Sequence, residues 1–344
     1  MVVRVRRSGV PGPASSHPRG RRAGIRPLWR SPLRVAAVFP GQGSFAVGCT
    51  AAWRRDDPEA VLARVGAAAG LDVLAEGERE DTGRATGRGQ PVLLAASLAA
   101  WSALHRAGVR PDLVAGHSLG EYAAAAAAGV LDVPTVARVV AARGRAMAAA
   151  CAAAPGGMGA VVRLDPDVVA EVVAEVDGVT AANDNAPGQV VLSGDADALG
   201  RAREAVAARG GRFLPLDVEG AFHSPAMATA VEPVRAAVAA EVAADPVVPL
   251  VSGAVVRPLR TAAEVVAALV DGILAPVRWR EVQLHLAAAG VTDLIEVGPG
   301  RVLAGLAKRT VPDLRVHPAG TPDEVRAVVD ALGASTAGAA EAAR

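Results

Sequence analysis

The stretch Gly116-His117-Ser118-Leu119-Gly120 constrains this chain more than any other. The apolar residues 113–115 before it read as a buried strand, and the alanine-rich residues 123–128 after it read as a helix. The five residues fit G-x-S-x-G, a turn that sets a serine on top of a tight strand-to-helix connection. Strand end and helix start approach so closely there that the positions two before and two after the serine must be very small. Gly116 and Gly120 fill both. The helix N-terminus then aims free N–H groups at whatever reacts at Ser118. Ser118-Leu119-Gly120-Glu121 also fits S-x-x-E, so helix capping is the competing role for Ser118. A cap needs neither glycine, and glycine inside a helix costs roughly 0.8–1 kcal/mol against alanine. A nucleophilic serine accounts for both.

The rest of the chain alternates strands and helices. Residues 34–39 read as the first core strand, running into Pro40-Gly41-Gln42-Gly43-Ser44. Gly41-x-Gly43-x-x-Ala46 also matches a dinucleotide fingerprint, but no second strand follows to carry an acidic ribose ligand. What remains is a glycine loop suited to presenting backbone N–H groups. Residues 76–89 read as a charged loop, after which Gln90-Pro91 opens a helix to about 106. A second helix, about 134–149, places Val136, Val139, Val140, Arg143 and Met147 on one face. An arginine on an apolar face needs an anion, either a core carboxylate or a carboxylate of the substrate.

Residues 155–218 read strand, helix, strand, strand, helix, strand, the split pattern of a ferredoxin-like unit. Within it, 183–188 reads as a turn. Ala221-Phe222-His223-Ser224-Pro225 follows, with Ser224 as a cap, Pro225 as first helical residue and His223 just outside. The positive end of that helix would keep His223 neutral and able to act as a base. The expected fold is therefore α/β: an α/β-hydrolase-like large domain over 34–154 and 219–318, with an inserted ferredoxin-like subdomain over 155–218. Residues 1–33 are expected to be a disordered basic extension, and 319–344 a C-terminal segment ending in a frayed tail.

Composition excludes several classes. The chain has 344 residues and is 51% hydrophobic, yet only 3% aromatic, so alanine, valine and leucine must fill the core. No apolar run is long and unbroken enough to span a membrane. The net charge of +1 conceals an asymmetry: 1–33 holds eight arginines and no acid, which leaves the body at −7. Such a body does not suit nucleic acid. Cys49 and Cys151 form no disulfide framework and fit a reducing cytoplasm.

Several separated motifs then resemble the malonyl-CoA:acyl carrier protein transacylase family, including the acyltransferase domains of polyketide synthases. They are Phe39-Pro40-Gly41-Gln42-Gly43-Ser44, Gly116-His117-Ser118-Leu119-Gly120-Glu121-Tyr122, Arg143-Gly144-Arg145-Ala146-Met147, Asn185-Ala186-Pro187-Gly188-Gln189, Ala221-Phe222-His223-Ser224-Pro225 and Glu296-Val297-Gly298-Pro299-Gly300. The resemblance covers about 34–318 and implies a ping-pong transfer, serving fatty acid or polyketide biosynthesis. Ser118 would take an acyl group from coenzyme A and pass it to the phosphopantetheine thiol of an acyl carrier protein. It implies His223 as base, the N–H groups of Gln42 and Leu119 as oxyanion donors, and Arg143 as the fork for the malonyl carboxylate. Gln90, Phe222 and Met147 would line the substrate, and the Arg278 carbonyl would orient His223. Coenzyme A thioester enters as substrate, with no bound cofactor and no metal. Ala275 and Arg278 stand where many bacterial members carry Asn and Gln, and selectivity between malonyl and a larger extender such as methylmalonyl is open. The alternatives are a serine hydrolase or thioesterase built on the same turn, and a non-catalytic module that binds carrier protein.

Overall fold

The computed structural model describes residues 34–341, with side chains to Gly333. The expected basic extension, 1–33, and residues 342–344 lie outside the described residues. Strands β1 (Val35–Phe39) and β2 (Leu113–Gly116) start the large sheet. Then β3 (Gly157–Val162), β4 (Val179–Ala186), β5 (Gln189–Gly194) and β6 (Arg212–Pro215) form a small one. The chain returns to the large sheet with β7 (Leu250–Val251), β8 (Pro258–Leu259), β9 (Asp293–Val297) and β10 (Arg315–Ala319).

The large sheet runs β10-β9-β1-β2-β7-β8, parallel except for the edge strand β8. Helices cover it, so β1, β2 and β9 are buried throughout; β1 and β2 read as apolar runs rather than alternating ones, while β9 carries the buried carboxylates Asp293 and Glu296. The small sheet runs β4-β5-β3-β6 with every pair antiparallel, the ferredoxin-like order. Two helices, Pro166–Glu175 and Ala196–Ala208, pack their valines and alanines on it in a separate core.

Three differences from the sequence reading have physical causes. The helix expected from Gln90 begins a turn earlier and spans Thr86–Arg106, with Pro91 inside it. Gly89 lies so close to the Thr82 carbonyl that a Cβ there would come within 2.5 Å, so this glycine serves packing rather than a loop. The turn expected at 183–188 shrinks to Pro187-Gly188, because β4 continues to Ala186 through two bulges and carries Asn183 and Asn185 inward. Strand β10 and the helix Pro322–Glu341 extend beyond the expected boundary at 318. Ala319, Val325, Val328 and Leu332 join the main core.

The centre of the molecule is where β1 and β2 end side by side. Phe39 pairs with Gly116, and the His117 N–H donates to the Phe39 carbonyl at 2.9 Å. A Cβ on Gly120 would sit 2.0 Å from that carbonyl oxygen, and one on Gly116 would sit 2.1 Å from the Glu121 nitrogen. Gly120→Ala should therefore lower the unfolding free energy by about 1–3 kcal/mol. Gly200→Ala, in the helix Ala196–Ala208 with open space around it, should raise it by roughly 0.5–1 kcal/mol. Denaturant unfolding of both variants checks the contrast.

Candidate active site

Ser118 sits in the turn with φ 53°, a conformation that side chains other than glycine rarely adopt. Its Oγ lies 2.8 Å from His223 Nε2. Leu119 is the N-cap of the helix Gly120–Ala127, and Ser118 Oγ bonds His223 and Arg143 rather than a helix N–H, so Ser118 does not cap it. Gln42 opens the short helical turn Gln42–Ser44 at the end of β1, and its side chain donates to the Gly83 carbonyl at 2.9 Å. Gln42 and Leu119 both stand at the start of a turn, where a backbone N–H has no acceptor within the helix. Both turns begin where β1 and β2 end.

His223 also has a left-handed backbone, φ 56°. Its Nδ1–H donates to the Ala275 carbonyl at 2.9 Å, leaving Nε2 to accept from the serine hydroxyl. The expected Arg278 carbonyl is a correction. It accepts the Val282 N–H inside the next helix, while the Arg278 guanidinium pairs with Glu281 at 2.5 Å. Val277 is also committed, its N–H to Ala182 and its carbonyl to Asp184. The carbonyl that reaches the histidine is thus two residues upstream of Val277. Burial foremost, and then the Arg143 charge, push His223 down to about 3. It is neutral as expected, and it stands, as expected, just before a helix start: Ser224 caps the turn Pro225–Met227, which runs on into the helix Ala228–Ala239.

Arg143 lies on the inward face of the helix Val133–Ala153 and is 2% exposed. Its Nη2 donates to Ser118 Oγ at 3.3 Å, and its guanidinium lies 5.2 Å from the centre of the Tyr122 ring. Its Nε has no partner, and no carboxylate pairs with it among the described residues. The core ion pair offered as its alternative role is therefore missing there. Gln90 Nε2 donates to Met147 Sδ at 3.6 Å, one helical turn beyond Arg143, and Gln90 Oε1 is buried without a partner. Neither Gln90 nor Met147 reaches the cavities at Ser118, whereas Phe222 lines the outer one.

Two cavities meet at Ser118 and His223. The outer cleft, about 260 Å³, runs between the small sheet, the turns after β1 and β2, and the helix Val302–Thr310. Gln42, Asn183, Asn185, Phe222 and Leu303 are among its walls. The inner one is closed to about 10 Å³, roughly one water. It is walled by Glu121, Tyr122, Arg143, Gly253, Leu269 and Ala275.

Sequence reasoning missed three participants. Ala275 acts through its backbone, so its side chain gives no signal. Asn185 Oδ1 accepts from His117 Nε2–H at 2.8 Å, a contact between subdomains far apart in sequence. Glu121 was visible as a lone acid in an apolar helix, but the S-x-x-E pattern drew attention only to capping by Ser118. It is instead buried in the inner cavity.

A hydroxyl, a neutral imidazole held by a carbonyl, and a buried unpaired guanidinium form a constellation able to carry acyl transfer through a serine ester. The comparisons agree. Residues 38–319 match the acyl transferase domain family, and the chain belongs to it. It is 39% identical over 306 residues to a malonyl CoA-acyl carrier protein transacylase of Salmonella typhimurium, covering 86% of this chain and 99% of that one. The crystal structure of the malonyl-CoA:ACP transacylase of Synechocystis sp. superposes with a TM-score of 0.79 at 35% identity, over 86% of this chain and 100% of that one. A malonyl-transacylase solved with its type II polyketide synthase acyl carrier protein gives 0.82 at 35% identity, over 86% and 99%.

The depressed histidine predicts a pH signature. Between pH 6.5 and about 3 the unfolded chain binds a proton at this histidine that the folded chain refuses, so stability falls as pH falls through that window. Above it the contribution is fully present. Denaturant midpoints of wild type and His223→Gln across pH 3–7 should converge towards the acid end. Parallel curves would place the titration elsewhere.

Proposed function

We propose that this chain moves malonyl groups from coenzyme A to the phosphopantetheine thiol of an acyl carrier protein. The observation that carries the reading is Arg143: a buried guanidinium with no carboxylate partner, touching the nucleophile. A malonyl thioester supplies the missing carboxylate in the two-oxygen geometry that guanidinium prefers.

Each step follows from the contacts. His223 Nε2 takes the hydroxyl proton as Ser118 Oγ attacks the thioester carbonyl. The N–H groups of Gln42 and Leu119 receive the oxyanion. The Ala275 carbonyl stabilises the imidazolium through Nδ1–H, as an aspartate would in a triad. The imidazolium gives that proton to the sulfur of coenzyme A as the C–S bond breaks; the carrier thiol then enters by the outer cleft, gives its proton to His223 and attacks the acyl-serine ester, and His223 returns the proton to Ser118 Oγ as the ester C–O bond breaks. Burial is the main cause that holds the histidine down, and the malonyl carboxylate offsets only the smaller part that comes from the Arg143 charge. A hydrolase built on the same turn has no use for an unpaired arginine against its nucleophile. No helix among the described residues is long and apolar enough to cross a membrane, and we place the enzyme in the cytoplasm.

Malonyl-CoA should add one malonyl mass to the protein, on the peptide carrying Ser118, and Ser118→Ala should abolish it. Arg143→Ala should lose roughly two to three decades of malonyl transfer relative to acetyl transfer. Equal loss of both, with a lowered melting temperature, would make Arg143 a core residue.

The carrier protein needs a basic surface, since the body of the chain is acidic. Of the candidates around the cleft, Arg278, Arg280 and Arg301 are paired with Glu281, Asp184 and Glu324. Lys308 and Arg309 lie exposed in the last turn of the helix Val302–Thr310, and Arg309 bonds Gln189, which lines the cleft. Charge reversal at Lys308 and Arg309 should raise KM for an acidic carrier several-fold and leave acylation by malonyl-CoA unchanged. Initial rates at varied carrier concentration test this.

A further inference from the structure

The mechanism above leaves one ionisable group in the inner cavity unused. Glu121 follows the nucleophile by three residues and is 6% exposed. One carboxyl oxygen, Oε2, accepts the Gly253 N–H at 3.3 Å, while Oε1 is buried without a partner. It lines the same cavity as Ser118, Tyr122, Arg143 and His223, which in this state holds about 10 Å³. Glu121 and Arg143 share this small space without forming an ion pair, although each feels the other's charge.

A malonyl carboxylate that docks on Arg143 puts a second carboxyl beside one guanidinium, where little water can screen them. Two carboxylates sharing such a site do not both stay ionised. We propose that Glu121 is a positioning residue for acyl choice: it takes a proton from solvent as the malonyl carboxylate seats on Arg143. The pocket then holds one anion against one cation. Glu121 in its acid form also gains a donor where an oxygen is otherwise orphaned. An acetyl group brings no charge and calls for no proton.

The neighbours leave Glu121 as the group that titrates. From its own helix comes Tyr122, which burial holds up at about 12, and whose hydroxyl donates to the Leu269 carbonyl. Across the cavity are Arg143, a permanent cation, and His223, held low at about 3. The loop after β7 presents Ser252 and the Gly253 N–H. The helix Ala262–Asp271 and the segment after it line the cavity with Ala268, Leu269, Gly272, Ala275, Pro276 and Val277, none ionisable. Burial raises free Glu121 to about 7. Its protonation is thus easily tipped near neutrality, and a second anion tips it further.

The inference rests on malonyl as the acyl group, and the test separates the two. Proton uptake is read with an indicator dye in weakly buffered solution at pH 7.5–8.5, as the holoenzyme is acylated by malonyl-CoA and, in parallel, by acetyl-CoA. Wild type should take up a fraction of a proton to one proton more with malonyl-CoA. The malonyl-to-acetyl ratio of acylation rates should fall by up to about tenfold per pH unit above neutrality. Glu121→Gln keeps the shape and the acceptor for Gly253 but cannot titrate. It should abolish the extra uptake and flatten the ratio against pH, while Glu121→Asp should retain both. Extra uptake that persists in Glu121→Gln, or a wild-type ratio that does not vary with pH, overturns the inference while the malonyl reading stands. A wild-type protein that malonyl-CoA does not label overturns the malonyl reading itself.

Discussion

The Phe39 carbonyl accepts the His117 N–H and lies against the bare Cα of Gly120. Everything at the site hangs on this approach. It ties the end of β1 to the turn after β2, so the loop bearing Gln42 and the serine of the next turn share one small space. It also holds Ser118 in a backbone conformation it would not choose alone. The parallel register of β1 and β2 supplies the rigidity, since both strands are buried on both faces and cannot shift by a residue without exposing their apolar side chains.

Around that frame the electrostatics are deliberately incomplete. Arg143 is charged, desolvated and without an acid partner, and its field reaches His223, Tyr122 and Glu121 together. The free site therefore holds a weak base and an acid near its titration point. A substrate carboxylate supplies the missing charge and changes both. An unpaired arginine in such a place is costly, and the proposed role for it is selectivity for acyl groups that carry a carboxylate.

The small sheet is more than a cover. Through Ala182 and Asp184 it holds Val277, and Arg280 closes the contact with an ion pair to Asp184 at 2.7 Å. Two residues before Val277 is the carbonyl that orients His223. Asn185 of the same strand fixes His117, beside the nucleophile. One strand of the inserted subdomain thus reaches both halves of the serine–histidine pair. The orientation of the base depends on a docking of two sheets that no local segment could supply.

The sequence by itself determined what depends on neighbours in the chain. Gly116 and Gly120 around Ser118 announced the turn because its sterics are local. The alternation of strands and helices announced the layers because burial has a period. The 3.6-residue repeat placed Arg143 on the inward face beside Val136, Val140 and Met147. Tertiary structure alone decided what depends on contacts between distant segments. It chose the Ala275 carbonyl over that of Arg278, since hydrogen bonds to β4 and to the following helix had already consumed the nearer groups. It turned Gly89 from a loop residue into a packing residue, and it carried β4 through Asn185 by pairing it with β5. It also set Glu121 in the inner cavity, because a buried carboxyl takes its surroundings from across the fold, and the Arg143 charge there comes from another helix.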